Sequence, residues 1–361
     1  MKNYKNVLIT GSAGFIGYHL SKKLLMDGHN VIGIDNLNDY YNPKLKERRN
    51  NNLINFNKNI NKNNIDDNNI NDNNISNIDN DNKKDNNTES NKNYYKFIKL
   101  DFSNWDMLYN SLKDYNIDII VHLGAQAGVR YSLENPWAYI NSNEMGTLNI
   151  FELCRKLDIN KVVFASSSSV YGGNKKVPFS EDDRVDNPVS LYAATKKSNE
   201  LMAHTYNHLY GIKMIGLRFF TVYGEYGRPD MAFWKFAKNI LLEKPIDVYN
   251  YGKMVRDFTY VSDVVDGIIK SMNYNCEYEI FNLGNDNPTE LEYAISLMEE
   301  YLGKKAIKNY MPMQLGDVEK TWADLSKSRK LLGYNPQVKI EDGLKIFCNW
   351  FLNNWEWVKE I

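Results

Sequence analysis

Short apolar runs alternate with amphipathic stretches along most of this chain. Asn6–Thr10, Val31–Asp35, Lys96–Leu100, Ile119–Leu123 and Val162–Ser166 are brief and apolar, as suits parallel strands buried on both faces. Between them, Phe15–Asp27, Trp105–Tyr115 and Gly146–Leu157 carry apolar residues at helical spacing, and a further helix is predicted over Tyr192–Tyr210. Alternating strands and helices with apolar strands predict an α/β fold built on a doubly wound parallel sheet. Beyond about Arg218 the pattern breaks into shorter elements richer in Gly, Pro and Tyr. The expected division is a nucleotide-binding domain over 1–217, with 218–361 mainly a smaller C-terminal substrate-binding lobe packed where such sheets bind ligands.

One tract interrupts the rhythm. From about Asn50 to Asn93 the chain is mostly Asn, Asp and Lys with isolated isoleucines, so it offers little apolar surface to offset the entropy of ordering. It reads as a disordered surface insertion within one connection, and deletion of Asn50–Asn91 is expected to leave activity intact.

Charge and cysteine usage narrow the function. A formal charge of -1 gives no basic footprint for nucleic acid or an anionic membrane. No run approaches the roughly 20 apolar residues that span a bilayer. The N-terminus lacks the features of a secretory signal. Cys154, Cys276 and Cys348 are widely spaced and fit no metal pattern, so no metal is expected and a reducing, cytoplasmic setting is.

The first candidate chemistry lies in Thr10-Gly11-Ser12-Ala13-Gly14-Phe15-Ile16-Gly17, between a predicted strand and a predicted helix. Gly11 suits a tight turn, Gly14 a close approach of backbone to a pyrophosphate, and Gly17 close packing of helix on strand. The helix start offers free N–H groups to phosphates. A second strand ends in Asp35, followed by Asn36; the carboxylate suits adenosine ribose hydroxyls and disfavours a 2′-phosphate, so NAD is the expected cofactor. Asp101 is placed for the adenine, with a strand-end cap as its alternative role, and Leu123 and Ala125 for the nicotinamide side. These features make the sheet one of the Rossmann type.

Tyr192 and Lys196 stand one helical turn apart, on one face, a spacing that lets both side chains reach the same nicotinamide ribose. A tyrosine is a poor base near neutral pH unless positive charge stabilises its phenolate, and Lys196 and an oxidised nicotinamide are expected to supply it.

Together with the Gly-x-x-Gly-x-x-Gly turn, Tyr192-Ala193-Ala194-Thr195-Lys196 resembles the extended short-chain dehydrogenase/reductase family, over essentially the whole chain outside the Asn-rich tract. The resemblance implies that Ser167, in Ser166-Ser167-Ser168-Ser169-Val170-Tyr171-Gly172, is the catalytic hydroxyl beside Tyr192 and Lys196, with Ser168 as the alternative. Dehydratases and decarboxylases of this family carry an acid before Val-Tyr-Gly, where this chain has Ser168-Ser169. Three runs, Asp35–Tyr41, Gln126–Leu133 and Arg218–Met231, resemble those of bacterial and plant UDP-glucuronate 4-epimerases. By that resemblance Ser168, Thr221 and Arg228 hold a sugar carboxylate, Arg256 the diphosphate and Asp317 the uridine ribose, with Gln314 where galactose-type enzymes have a second arginine. It also implies a homodimer joined through paired helices, one being Leu191–Leu209. Another UDP-hexose 4-epimerase, a uronate decarboxylase and a non-catalytic NAD-bound sensor are the alternatives.

Overall fold

The computed structural model describes residues 4–71, 93–314 and 316–361. Its centre is a seven-stranded sheet in which every pairing is parallel. The first six strands are β1 (Asn6–Thr10), β2 (Asn30–Asp35), β3 (Tyr95–Lys99), β4 (Ile119–His122), β5 (Lys161–Ser167) and β6 (Lys213–Phe219). After β7 (Thr221–Tyr223), β8 (Pro245–Tyr249) and β9 (Val255–Tyr260), strand β10 (Tyr278–Leu283) returns to the edge of the same sheet. The order is β3-β2-β1-β4-β5-β6-β10, so the winding reverses between β1 and β4, and the crevice at their carboxyl ends is the place where such sheets bind ligands.

The central strands read as continuous apolar runs because both faces are covered. Along β1, Val7 and Ile9 join one core and Leu8 the other, as alternation along a strand requires. All three are fully buried, and each contributes about 1.5–3 kcal/mol relative to an exposed side chain. The predicted strands agree with the observed ones to within a residue at either end.

Beyond Arg218 the chain serves two layers. β7 and β9 join β11 (Pro288–Glu290) in a three-stranded sheet, and β8 pairs in parallel with β12 (Ile307–Met311). These small sheets form the lobe, but β10 belongs to the large sheet, so no single cut at Arg218 separates the two.

The Asn-rich tract differs from the expectation of disorder. Pro43–Asn71 is one helix. Asn-rich sequence is a poor helix former, but Leu45, Arg49 and Leu53, spaced four apart, lie on one buried face. Asn50 accepts from the Tyr95 hydroxyl at 2.9 Å and Asn61 donates to the Asn93 carbonyl at 2.9 Å, so polar side chains tie the helix to β3 and the residues before it. Residues 72–92, the remainder of the expected insertion apart from Asn93, lie outside the described residues. Among the described residues no helix is long and apolar enough to cross a membrane.

Candidate active site

A cavity of about 830 Å³ opens at the carboxyl edge of the sheet, between it and the lobe. Its floor begins at the glycine turn. Gly11 has φ +69, and its N–H donates to the Ile34 carbonyl at 2.8 Å, tying the turn to β2. A Cβ on Gly17 would stand 2.1 Å from the Gly11 carbonyl oxygen, so only glycine lets helix Phe15–Met26 start so close to the turn. Gly11, Gly14, Phe15, Ile16 and Gly17 line the cavity. Ser12 and Ala13 stand behind that wall: the Ser12 side chain is fully buried and the Ala13 carbonyl accepts from Arg49.

Asp35 and Asn36 line the same cavity. Burial raises the Asp35 carboxyl against the opposing charge of Lys46, whose ammonium lies 4.0 Å away. Lys46 also lines the cavity and was not anticipated; nothing in a lysine three residues into a helix signals a contact with the end of β2. Asp101 accepts from the Ser103 N–H at 2.9 Å, the Ser103 hydroxyl at 2.7 Å and Asn36 at 3.0 Å. It thus caps its own strand end and steadies Asn36, and it is not among the cavity-lining residues. Leu123 and Ala125 line the opposite wall. A glycine turn, a helix start and a carboxylate at the end of the second strand, all on one floor, fit a dinucleotide.

The helix Leu191–Tyr210 forms because Ser190 caps its start, accepting from the Ala193 N–H at 3.1 Å, and left-handed Gly211 ends it. Tyr192 therefore sits in the first turn, at the cavity. Buried Lys196 donates from Nζ to the Ala165 carbonyl at 2.8 Å. Burial lowers its ammonium to about 8, against the opposing charge of Glu144. Burial raises the Tyr192 hydroxyl, while a hydrogen bond with Ser167 and the positive charge of Arg228 pull it down. Lys196 thus reaches the end of β5 with its ammonium, and the charge of Arg228 also bears on the Tyr192 hydroxyl.

The serines that end β5 alternate in direction. Ser166 donates to Glu200 at 2.6 Å, and Glu200 is paired at 2.9 Å with Arg218 in a buried cluster. Ser167 faces the other way, to Tyr192, and its hydroxyl accepts from the Ser169 N–H at 3.1 Å. Ser168 begins the next turn and also lines the cavity.

At the far end, Thr221 and Arg228 line the cavity. The Arg228 guanidinium is engaged by Asp230 through both Nε and Nη2, with Nε 3.0 Å from one carboxylate oxygen. Arg256 donates to the carbonyls of Val255 at 3.0 Å and Glu319 at 2.9 Å. Asp317 pairs with Arg130 at 3.1 Å, and the Arg130 guanidinium lies over the Tyr249 ring, 4.9 Å from its centroid. Burial lowers Arg256, as does the neighbouring charge of Arg130. Two guanidinium groups therefore face this end, although the sequence has Gln314 in place of a second arginine. Arg130 lay unassigned within the Gln126–Leu133 run, because only the fold brings that loop to Asp317.

The model of the NAD dependent epimerase/dehydratase family matches residues 7–284. An uncharacterised protein of Methanocaldococcus jannaschii is 65% identical over 98% of this chain and 98% of its own length. A UDP-glucuronate 4-epimerase of Thermodesulfobacterium geofontis is 43% identical, with 98% of each chain covered. Among solved structures, the UDP-glucuronic acid 4-epimerase of Bacillus cereus in complex with UDP-glucuronic acid and NAD is similar with a TM-score of 0.80 and 31% identity, covering 96% of this chain and 99% of that one.

Proposed function

The chain belongs to the NAD dependent epimerase/dehydratase family, as an NAD-dependent sugar-nucleotide epimerase, and on that premise we propose that it interconverts UDP-glucuronate and UDP-galacturonate. The observation that carries the reading is Arg228. It lines the same cavity as Tyr192 and Ser167, and its fork is already formed on a carboxylate, that of Asp230. A guanidinium so placed recognises a planar carboxylate better than it does a neutral hydroxymethyl group.

Gly11, Gly14 and Gly17 let the backbone receive the cofactor's pyrophosphate, with Asp35 and Lys46 at its ribose. NAD, when bound, supplies the acceptor and donor for the hydride at the sugar C4. Tyr192 acts as the base that takes the C4 hydroxyl proton, and Ser167 holds that hydroxyl in line. Arg256 and Arg130 retain the diphosphate while the 4-keto sugar turns about its link to it. With the opposite face of C4 now presented for return of the hydride, Tyr192 gives the proton back to the C4 oxygen. Lys196 orients the strand end that carries Ser167.

A 4-keto uronate is a β-keto acid, which loses carbon dioxide when its carboxylate bond aligns with the carbonyl π system. Arg228, with Thr221 and Ser168, holds that bond near the ring plane and suppresses the loss. Ser168-Ser169 supply no acid of the kind used for elimination or decarboxylation. The exposed Trp137, Ile140 and Met145, beside helix Leu191–Tyr210 with its exposed Leu201 and Leu209, suit a homodimer joined through these helices.

The test is incubation of the purified protein with UDP-glucuronate, without added NAD, and chromatography of the products. UDP-galacturonate is the expected product. A UDP-pentose would make the protein a decarboxylase. Turnover of UDP-glucose in preference to the uronate would overturn the substrate assignment, and binding of NAD with no turnover of any UDP-sugar would favour a sensor.

A further inference from the structure

Arg49 is fully buried in helix Pro43–Asn71, and no step above uses it. Its donors reach out in two directions. Nη1 donates to the Ala13 carbonyl at 3.1 Å and to the Tyr41 hydroxyl at 2.7 Å. Nε and Nη2 donate to the Tyr226 carbonyl at 3.0 and 2.6 Å, and Nη2 also to the Gly227 carbonyl at 3.0 Å. Among the described residues no carboxylate forms an ion pair with it. A buried guanidinium is thus satisfied by neutral acceptors in a fixed fork geometry that lysine cannot reproduce.

Each carbonyl acceptor is part of a peptide plane with a consequence. The Ala13–Gly14 peptide carries the Gly14 N–H that closes the cofactor turn on the Gly11 carbonyl at 2.9 Å. The Tyr226–Gly227 peptide carries the Gly227 N–H that closes a second turn on the Gly224 carbonyl at 3.1 Å, and the Gly227–Arg228 peptide leads into the arginine that faces the sugar. Tyr226 is a non-glycine residue at φ +53, a conformation that persists only where its surroundings hold it. Arg49 grips its carbonyl twice, and Asn52, on the same helix, donates to its hydroxyl at 3.0 Å.

We propose that Arg49 is a positioning residue that fastens the cofactor turn to the substrate loop, so that NAD occupancy and the placement of Arg228 are coupled. The Arg228 half rests on the carboxylate assignment proposed above; the mechanical link does not. Coupling of this kind is reciprocal, so NAD ordering the turn also orders the loop.

The experiment is hydrogen–deuterium exchange of peptides spanning 224–231 in protein stripped of NAD and then reloaded to saturation. In the wild type, reloading is expected to slow exchange there at least threefold. In Arg49→Lys, folded and saturated with NAD, the slowing is expected to vanish. The kcat/KM for UDP-glucuronate is expected to fall at least tenfold, and more UDP-pentose to escape. A folded Arg49→Lys whose segment responds to NAD as the wild type does, or a wild type that does not respond, would overturn the link. Should Arg49→Lys fail to fold, Arg49→Gln, which cannot bridge the two turns with a guanidinium fork, is measured in its place, and a folded variant whose segment still responds to NAD as the wild type does would overturn the link, while a lost response supports it. No sugar nucleotide enters the exchange measurement, so an error in the substrate assignment would alter only the kinetic arm.

Discussion

Arg228 and Asp230, two residues apart on the loop after β7, meet fork to carboxylate, and the Tyr40 hydroxyl donates to the same carboxylate at 3.0 Å. Asp230 therefore orients the guanidinium that is proposed to receive the substrate, and Tyr40 orients Asp230. The charge of that guanidinium also bears on the Tyr192 hydroxyl, drawing it down against the effect of burial.

Arg228→Ala is expected to weaken UDP-glucuronate binding about 10- to 100-fold, the worth of a hydrogen bond to a charged group at about 1.5–3 kcal/mol. The share of turnover released as UDP-pentose should rise. Arg228→Lys keeps the charge without the fork and should fall between Ala and wild type. Calorimetric binding and product chromatography check both; an alanine variant indistinguishable from wild type would remove the clamp.

Tyr192→Phe deletes one hydroxyl from a packed site. The expected result is a kcat lower by about 10²–10⁴, with NAD content and UDP-glucuronate affinity kept, because general-base catalysis contributes on that order. Steady-state kinetics alongside NAD quantification will decide. A loss smaller than tenfold would put the base elsewhere.

His122 ends β4 beneath the cofactor turn, 2.7 Å from the Thr10 hydroxyl and 3.1 Å from that of Thr147. Burial holds its ring down to about 3, from an ordinary 6.5. Between those values the unfolded chain takes a proton that the folded one refuses, so stability is fully present above about pH 6.5 and is lost as pH falls toward 3. The slope is at most about 1.4 kcal/mol per pH unit for one histidine. His19, lowered by burial to about 4, acts with the same sign. Urea unfolding at pH 7, 6 and 5 should therefore show a shallower loss in His122→Asn than in wild type. Equal slopes would mean that His122 is protonated in the fold.

Leu53→Ala, in the Asn-rich helix, is expected to cost about 2–5 kcal/mol, because that side chain is fully buried. Lys58→Ala, exposed on the same helix, should change stability by less than about 0.5 kcal/mol. Deleting Asn50–Asn91, which composition alone suggests is harmless, should destabilise the protein, since it removes Leu53 and the Asn50–Tyr95 bond. Denaturant unfolding of the three variants distinguishes a packed helix from a dispensable one.

The Asn-rich tract shows where composition misleads. Averaged over its length, the segment has too few apolar residues to order itself, yet its first part continues a helix that starts at Pro43, and Leu53 extends the buried face begun by Leu45 and Arg49. The partners of Arg49, the Ala13 carbonyl and the Tyr226 loop, lie far off along the chain. The same holds for Arg130, whose sequence neighbours gave no sign that it would meet Asp317. For Lys196, helical spacing placed it on one face with Tyr192, and packing brought its ammonium to the Ala165 carbonyl.

What the sequence determined by itself is everything carried by local spacing. Apolar runs marked the strands, glycines at fixed intervals marked the cofactor turn, and Tyr192 and Lys196 were bound to share a helix face, since these follow from backbone geometry within a few residues. What only the tertiary structure decided is which charges meet across the cavity. Arg228 with Asp230, Arg130 with Asp317, Lys46 with Asp35 and Arg49 with two backbone turns depend on loops and strand ends brought together by burial, and hydrogen-bond distances of about 3 Å are set by that packing rather than by any spacing along the chain.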